Sequence, residues 1–332
     1  MLGQGVPMTT ARTVPVTTEM DGDELDAEDA WHLMRRIGIR RLLLDSFLRF
    51  RYADGFSHSR ALALQAALSV VPFLLALSGL AADLDEKRPA EVLARTIERL
   101  SPGGGSRDAL ASAVTKGSTG ETAGEIALAF GLVVSVLSMT TAMAQIERGT
   151  NRIYGIRRDR KALVKYGRAL VLTAVLAAPV GLGFLLLVAG GSFAEAMRTS
   201  YGWSDATADI WNAARWPVGL VLLVFTVSVL LDHAPRRRQP ALSWLALGAG
   251  IAVLLAMSAT AMLAAYVQLS GSFSETYGPL AGVFALLLWS LLSSIALFAG
   301  AAVCAQLEFL RAGQSDPVHD DPGPPPNQVV NG

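Results

Sequence analysis

Apolar runs of near-membrane length recur along this chain, and they restrict its fold more than any motif does. "EIALAFGLVVSVLSMTTAMA" (125–144) is one of them. About 20 apolar residues in a helix cross the hydrocarbon core of a bilayer. Six runs approach that length: about 61–82, 126–145, 169–190, 216–231, 241–267 and 280–306. Apolar residues make up 52% of the chain and charged ones 17%, a balance that excludes an ordinary soluble domain. The expected fold is an all-α integral membrane protein, a bundle of six transmembrane helices spanning residues 30–310. The fourth run is short, so its helix is expected to begin nearer Asp209. Pro72 and Pro179 fall inside runs, where each removes a helical hydrogen bond and predicts a kink.

The segments outside the runs read differently. Residues 1–29 are Thr-rich and then acidic, and predict a disordered tail. Residues 311–332 are polar and Pro-rich, and predict a second one. Between Trp31 and Phe50, Leu33, Ile37, Leu44, Phe47 and Leu48 share one helical stripe, on which Arg40 intrudes, with Arg35 and Arg49 outside it. That predicts an N-terminal cytoplasmic amphipathic helix. Either it lies in the membrane interface with its arginines snorkelling to headgroups, or it packs on the membrane domain. The 83–125 segment predicts a helical extracytoplasmic loop between spans one and two, with a helix over 89–100 and a break at "SPGGGS".

Basic residues set the expected orientation. Arg148, Arg152, Arg157, Arg158, Arg160, Lys161, Lys165 and Arg168 lie between spans two and three, and Arg236, Arg237 and Arg238 between spans four and five. The third-to-fourth loop carries only Arg198 and Arg215, and the fifth-to-sixth loop carries none. Both termini are therefore expected in the cytoplasm of a bacterial inner membrane. There is no basic segment leading into a short apolar stretch, so a cleaved signal peptide is not expected.

The chemistry-bearing residues are sparse. His32, His58, His233 and His319 fall in separate segments without metal-ligand spacing, and Asp232–His233 reads as a ligand pair or as a polar helix end. Cys304 is the one cysteine, so there is no disulfide framework. No G-x-S-x-G occurs, and "SPGGGS" lacks the Lys-Ser/Thr of a phosphate loop. With formal net charge zero there is no global pull toward nucleic acid. No enzyme, metal or cofactor is expected. Inside the runs the polar residues are neutral, among them Gln65, Ser290, Ser293 and Ser294. They read as interhelical hydrogen bonds or, with Pro72 and Pro179, as the lining of a polar path. Small-residue strings at 247–250 and 299–302 fit close helix packing.

Charges gather instead at the end of span two, in "QIERGTNRIYGIRRDR" (145–160), and at Glu308. Glu147 and Asn151 are spaced i, i+4 on one helix face, and Gly155 suits a left-handed helix cap. Glu147, Asn151, Arg152, Tyr154, Gly155 and Glu308 are the candidate functional residues. On the plainer reading, Glu147 is neutralised by Arg148 or Arg152 and Tyr154 anchors at the interface.

Three stretches together resemble the YihY/BrkB family of bacterial inner-membrane proteins: "ALALQAALSVVPFLLALSGLA" (61–81), "NRIYGIRR" (151–158) and "TYGPLAGVFALLLWSLLSSIALFAGAAVCAQLE" (276–308). The chain departs from the family pattern at Leu64 and Gln65, where aromatic residues are usual. It departs again at Ala302 and Cys304, where a carboxylate and an Asn are frequent. The resemblance implies a six-helix bundle with cytoplasmic termini. It also implies links to serum resistance and to envelope lipid transport, and a ribonuclease BN label that these residues do not support. The expected function is transport or handling of a lipid or other amphiphile, with structural scaffolding as the alternative and a ribonuclease last. Expected partners are membrane lipids, with anionic headgroups at the cytoplasmic face and no nucleic acid; a homo-oligomer is left open.

Overall fold

A computed structural model describes residues 12–19, 25–83, 121–269 and 281–320. Nine α-helices occur among them. Two short ones, α1 (Ala27–Ile37) and α2 (Ile39–Tyr52), lead into α3 (Gly55–Asp83) and α4 (Glu121–Ile153). Next come α5 (Ala162–Phe184), a π-helical turn (Leu185–Ala189), α6 (Gly190–Tyr201) and α7 (Asp205–His233). The last two are α8 (Leu242–Leu269) and α9 (Ala281–Arg311).

Five of these helices are long and apolar enough to cross a membrane, over Leu128–Ile153, Ala162–Leu187, Asp205–His233, Leu242–Val267 and Gly282–Arg311. The expected first span falls on α3, another long helix, which contains Pro72. The long helices neighbour one another in a closed order: α3 on α4, α4 on α5, α5 on α7, α7 on α8, α8 on α9, and α9 back on α3. Side chains such as Leu137, Val175, Val221 and Leu254 stand exposed on the outer faces, as a bilayer solvent requires. Contact between α8 and α9 is made through glycine. A Cβ on Gly300 would lie 2.5 Å from the Gly248 carbonyl oxygen, and one on Gly248 2.6 Å from the Gly300 oxygen. The two small-residue strings are thus each other's partners.

Several expectations on chain termini and helix bounds change. The N-terminal amphipathic segment is two helices, because Gly38 takes a left-handed φ of 88° between them. Asp26 caps the first, accepting from the Glu28 and Asp29 amides. The second packs Leu42, Ser46, Arg49 and Phe50 inward, on the face opposite exposed Leu44 and Phe47. Arg49 therefore does not snorkel; it is wholly buried. The segment read as a disordered tail also packs in part. Arg12–Thr13 pairs antiparallel with His319–Asp320, while Val14, Thr17 and Leu25 are buried. This pairing likewise ties down part of the segment read as a C-terminal tail.

The helix of the expected fourth span, α7, starts at Asp205, where Ser204 caps it by accepting from the Thr207 amide. Arg215, read as a loop residue, therefore sits on α7. Beyond α5, the helix of the expected third span, helical structure continues to Tyr201 through the π turn and α6, and one carbonyl of each takes a side-chain donor from α7. Arg215 Nη1 donates to Leu186 O at 3.3 Å and Trp211 Nε1 to Gly190 O at 2.8 Å. The 89–100 helix, the "SPGGGS" break and the tail beyond 320 lie outside the described residues.

Candidate functional site: a buried arginine cluster at one end of the bundle

The C-terminal ends of α4, α7 and α9 meet the N-terminal ends of α5 and α8 at the end of the molecule that carries the arginine-rich connections. The end of α4 organises this region. Gly155 adopts φ 78°, its amide donates to Arg152 O at 3.0 Å, and the Ile156 amide donates to Asn151 O at 2.8 Å. Those two bonds define a Schellman cap, the left-handed termination that the Y-G pair suggests. The cap turns the chain back over the helix end and places the following arginines against α7.

An outer cluster forms around that turn. Asn151 is fully buried; its Oδ1 accepts from the Arg236 amide at 2.7 Å and its Nδ2 donates to Asp159 Oδ1 at 3.1 Å. Asp159 also faces Lys165 at 3.4 Å and Arg148 at 3.3 Å. Burial pushes its carboxyl up, but the Asn151 amide, Lys165 and Arg152 outweigh this and hold it below the usual range. Glu147 pairs at 3.1 Å with Arg160, whose Nη1 and Nη2 also donate to Ala234 O and Pro235 O. The expected neutralisation of Glu147 by Arg148 or Arg152 is thus replaced by a longer-range pair. Arg148 serves Asp159, and Arg152 Nη1 donates to Ile156 O at 2.6 Å.

Beneath it lies an inner cluster that joins Tyr154 and Glu308. Tyr154 is 1% exposed, so it is no interface anchor, and its phenol faces Glu308. Burial raises its pKa well above the ordinary value. Glu308 Oε2 accepts from Arg237 Nη2 at 2.7 Å with both side chains buried, and the Arg237 guanidinium stacks 4.6 Å above the Tyr154 ring. Arg49 stands beside them, 4.9 Å over the Phe309 ring. Its Nε donates to Ile153 O at 2.8 Å and its Nη1 to Gln306 Oε1 at 3.4 Å. Burial first, and the Arg237 charge after it, pull the Arg49 pKa down to about 10, although Tyr154 and Glu308 oppose this.

Sequence reading found Tyr154, Gly155 and Glu308 but not Arg49 or Arg237. Both belong to basic stretches whose other members are exposed.

The residues proposed to line a path divide between two seams. Pro72 and Gln65 lie on α3, and Ser290, Ser293 and Ser294 on α9, two helices in contact. Gln65 Oε1 and Ser290 Oγ are buried and make no hydrogen bond among the described residues. Pro179 lies on α5, beside α4 and α7. On the α3–α9 seam, Phe56, Arg60, Leu291 and Ile295 line an open groove of about 350 Å³.

A family model described as "Virulence factor BrkB" matches residues 46–322. A Bacillus subtilis (strain 168) protein named as ribonuclease-like, YfkH, is 28% identical over 265 residues, which cover 80% of this chain and 94% of that protein. A UPF0761 membrane protein of Pseudomonas aeruginosa (strain LESB58) is 31% identical over 181 residues. That match covers 52% of this chain and 41% of the Pseudomonas protein. No solved structure matches significantly.

Proposed function

Since the chain belongs to the virulence factor BrkB family, we propose that it is a six-span inner-membrane protein that handles a lipid or another amphiphile of the cell envelope. Its termini would lie in the cytoplasm and it would act by binding and moving its ligand, not by catalysis. The main support is the groove on the α3–α9 seam. Three of its lining residues, Phe56, Leu291 and Ile295, are apolar, and the fourth, Arg60, is a cation. Among the described residues, the Arg60 guanidinium donates at 3.3 Å to Phe56 O and to Ser57 Oγ. One cation among apolar walls matches the chemistry of an acidic headgroup on an acyl chain. A lipid can also keep its tails in the bilayer, which accords with neutral polar residues such as Gln65 and Ser290 inside the apolar runs, the charges standing nearer the helix ends.

Native mass spectrometry and a vesicle lipid-flux assay test this. The expected result is retained lipid and flux above that of empty vesicles, with flux reduced about tenfold or more by Leu291→Trp with Ile295→Trp. No retained lipid and no flux would leave scaffolding as the function. The ribonuclease-like name belongs to the Bacillus subtilis relative. RNA cleavage by this protein that disappears in Glu147→Ala would overturn the proposal.

A further inference from the structure

The inner cluster holds two guanidiniums, Arg49 and Arg237, against one carboxylate, Glu308. An excess positive charge in a buried site is costly unless an acceptor compensates it. Here the compensation comes from an uncharged strap, residues 14–18, running across the cluster. Arg49 Nη2 donates to Pro15 O at 3.0 Å and to Thr17 Oγ1, and Arg237 Nη2 donates to Thr18 O at 3.3 Å. The strap is seated by the Thr17 amide on Tyr154 O at 3.1 Å. It crosses so close to Gly155 that a Cβ there would lie 2.5 Å from Pro15 O.

Two further donors of the cluster, Arg237 Nη1 and Nε2 of Gln306, which accepts from Arg49, are buried and make no hydrogen bond among the described residues. The strap lies outside the family match at 46–322, whereas Arg49, Arg237, Gln306 and Glu308 lie within it.

We propose that Arg49 and Arg237 form a binding site for a phosphate group, and that the oxygens of Pro15, Thr17 and Thr18 occupy it as a competing strap. Three neutral oxygens stand where a phosphate would present its own, and the phosphate would supply the negative charge that the strap lacks. Guanidinium forks bind phosphate through paired, charge-assisted hydrogen bonds, so a phosphate displaces neutral acceptors readily. The site is independent of the α3–α9 groove, and its occupancy can be read without any measurement of flux.

The test uses the full chain with a spin label at Val16→Cys. Val16 is 65% exposed, and the native Cys304 is buried, so only the new thiol reacts. In detergent, inorganic phosphate should raise label mobility, while sodium chloride of matched ionic strength should not. In a second arm, nanodiscs of phosphatidylcholine are compared with nanodiscs that also contain phosphatidylglycerol. Release by inorganic phosphate assigns a soluble phosphate, and release by phosphatidylglycerol alone assigns a lipid headgroup. Thr17→Val removes a strap acceptor without touching the site and should lower the half-release concentration about tenfold. Arg237→Lys should raise it by a similar factor. No release in either arm, equal release by chloride, or a half-release concentration unchanged in Thr17→Val would each overturn the proposal.

Discussion

Glu308 and Arg237 are held at 2.7 Å with almost no exposure, which separates them from the surface pairs of this chain. An exposed pair contributes about 0–1 kcal/mol. Removing one partner of a buried pair strands the other charge and costs about 3–5 kcal/mol. Glu308→Gln is therefore expected to lower thermal stability in detergent sharply, whereas Arg41→Gln, which breaks a half-exposed pair with Asp45, should change it little. Equal effects of the two would refute the burial argument. Asp159 gives a pH dependence with a definite sign. Its carboxyl is held below the ordinary value of 3.8, so it stabilises the fold above that pH and the contribution fades as pH falls through the lowered value. Asp159→Asn should be less stable than the parent at neutral pH, and the gap should close in acid; thermal scans from pH 7 to pH 3 measure it. Asn151 and Gly155 were legible because a helix end demands a particular backbone. Arg49 and Arg237 were not, since a basic residue beside a span reads alike whether it snorkels or turns inward. Only the packing of α2 and α9 decides between the two.

The spanning helices were legible from their apolar runs, and so was the break that each connection makes. Where bounds moved, the cause was polar helix that no hydropathy run reveals. The first turns of α7 carry Asp205, Thr207 and Asp209, and Ser204 starts them by capping. The π turn after α5 was hidden for a similar reason: Arg215 of α7 serves the Leu186 carbonyl within it, and Trp211 serves that of Gly190 just after it. The small-residue strings show the opposite case, a signal present in sequence whose partner only the fold reveals. Their role can be checked by contrast. A side chain on Gly300 would meet the Gly248 backbone, which cannot swing aside, so Gly300→Val should cost about 3 kcal/mol or more. Gly250 on the same helix as Gly248 has nothing within 4 Å of an added Cβ. Gly250→Ala should be neutral or stabilising by about 0.5–1 kcal/mol through helix propensity. Chemical or thermal unfolding of both variants in one detergent distinguishes them; similar losses would mean that α8 and α9 do not meet through these glycines.

Six long helices that alternate in direction put the ends of α4, α7 and α9 and the starts of α3, α5 and α8 together. The arginine-rich connections and both described terminal segments gather at that same end. The opposite end bears the aromatic group of Phe193, Trp203 and Trp211, with ring centroids 5.3–6.2 Å apart, an arrangement suited to a membrane–water interface. Charge asymmetry of this kind predicts an orientation with the basic end in the cytoplasm. The native Cys304 is buried, so added cysteines report without background. Gln314→Cys lies past α9 at the basic end and Ala206→Cys at the start of α7, both exposed. In intact bacterial cells a membrane-impermeant maleimide should label Ala206→Cys and spare Gln314→Cys until the cells are permeabilised. The reverse pattern would turn the molecule over and put the arginine cluster outside the cell. Labelling of both sites in intact cells would contradict a fixed orientation. A basic end facing the cytoplasm would bring Arg49 and Arg237 to the leaflet whose anionic headgroups attract such residues. The orientation experiment therefore decides which phosphate pool the buried cluster meets.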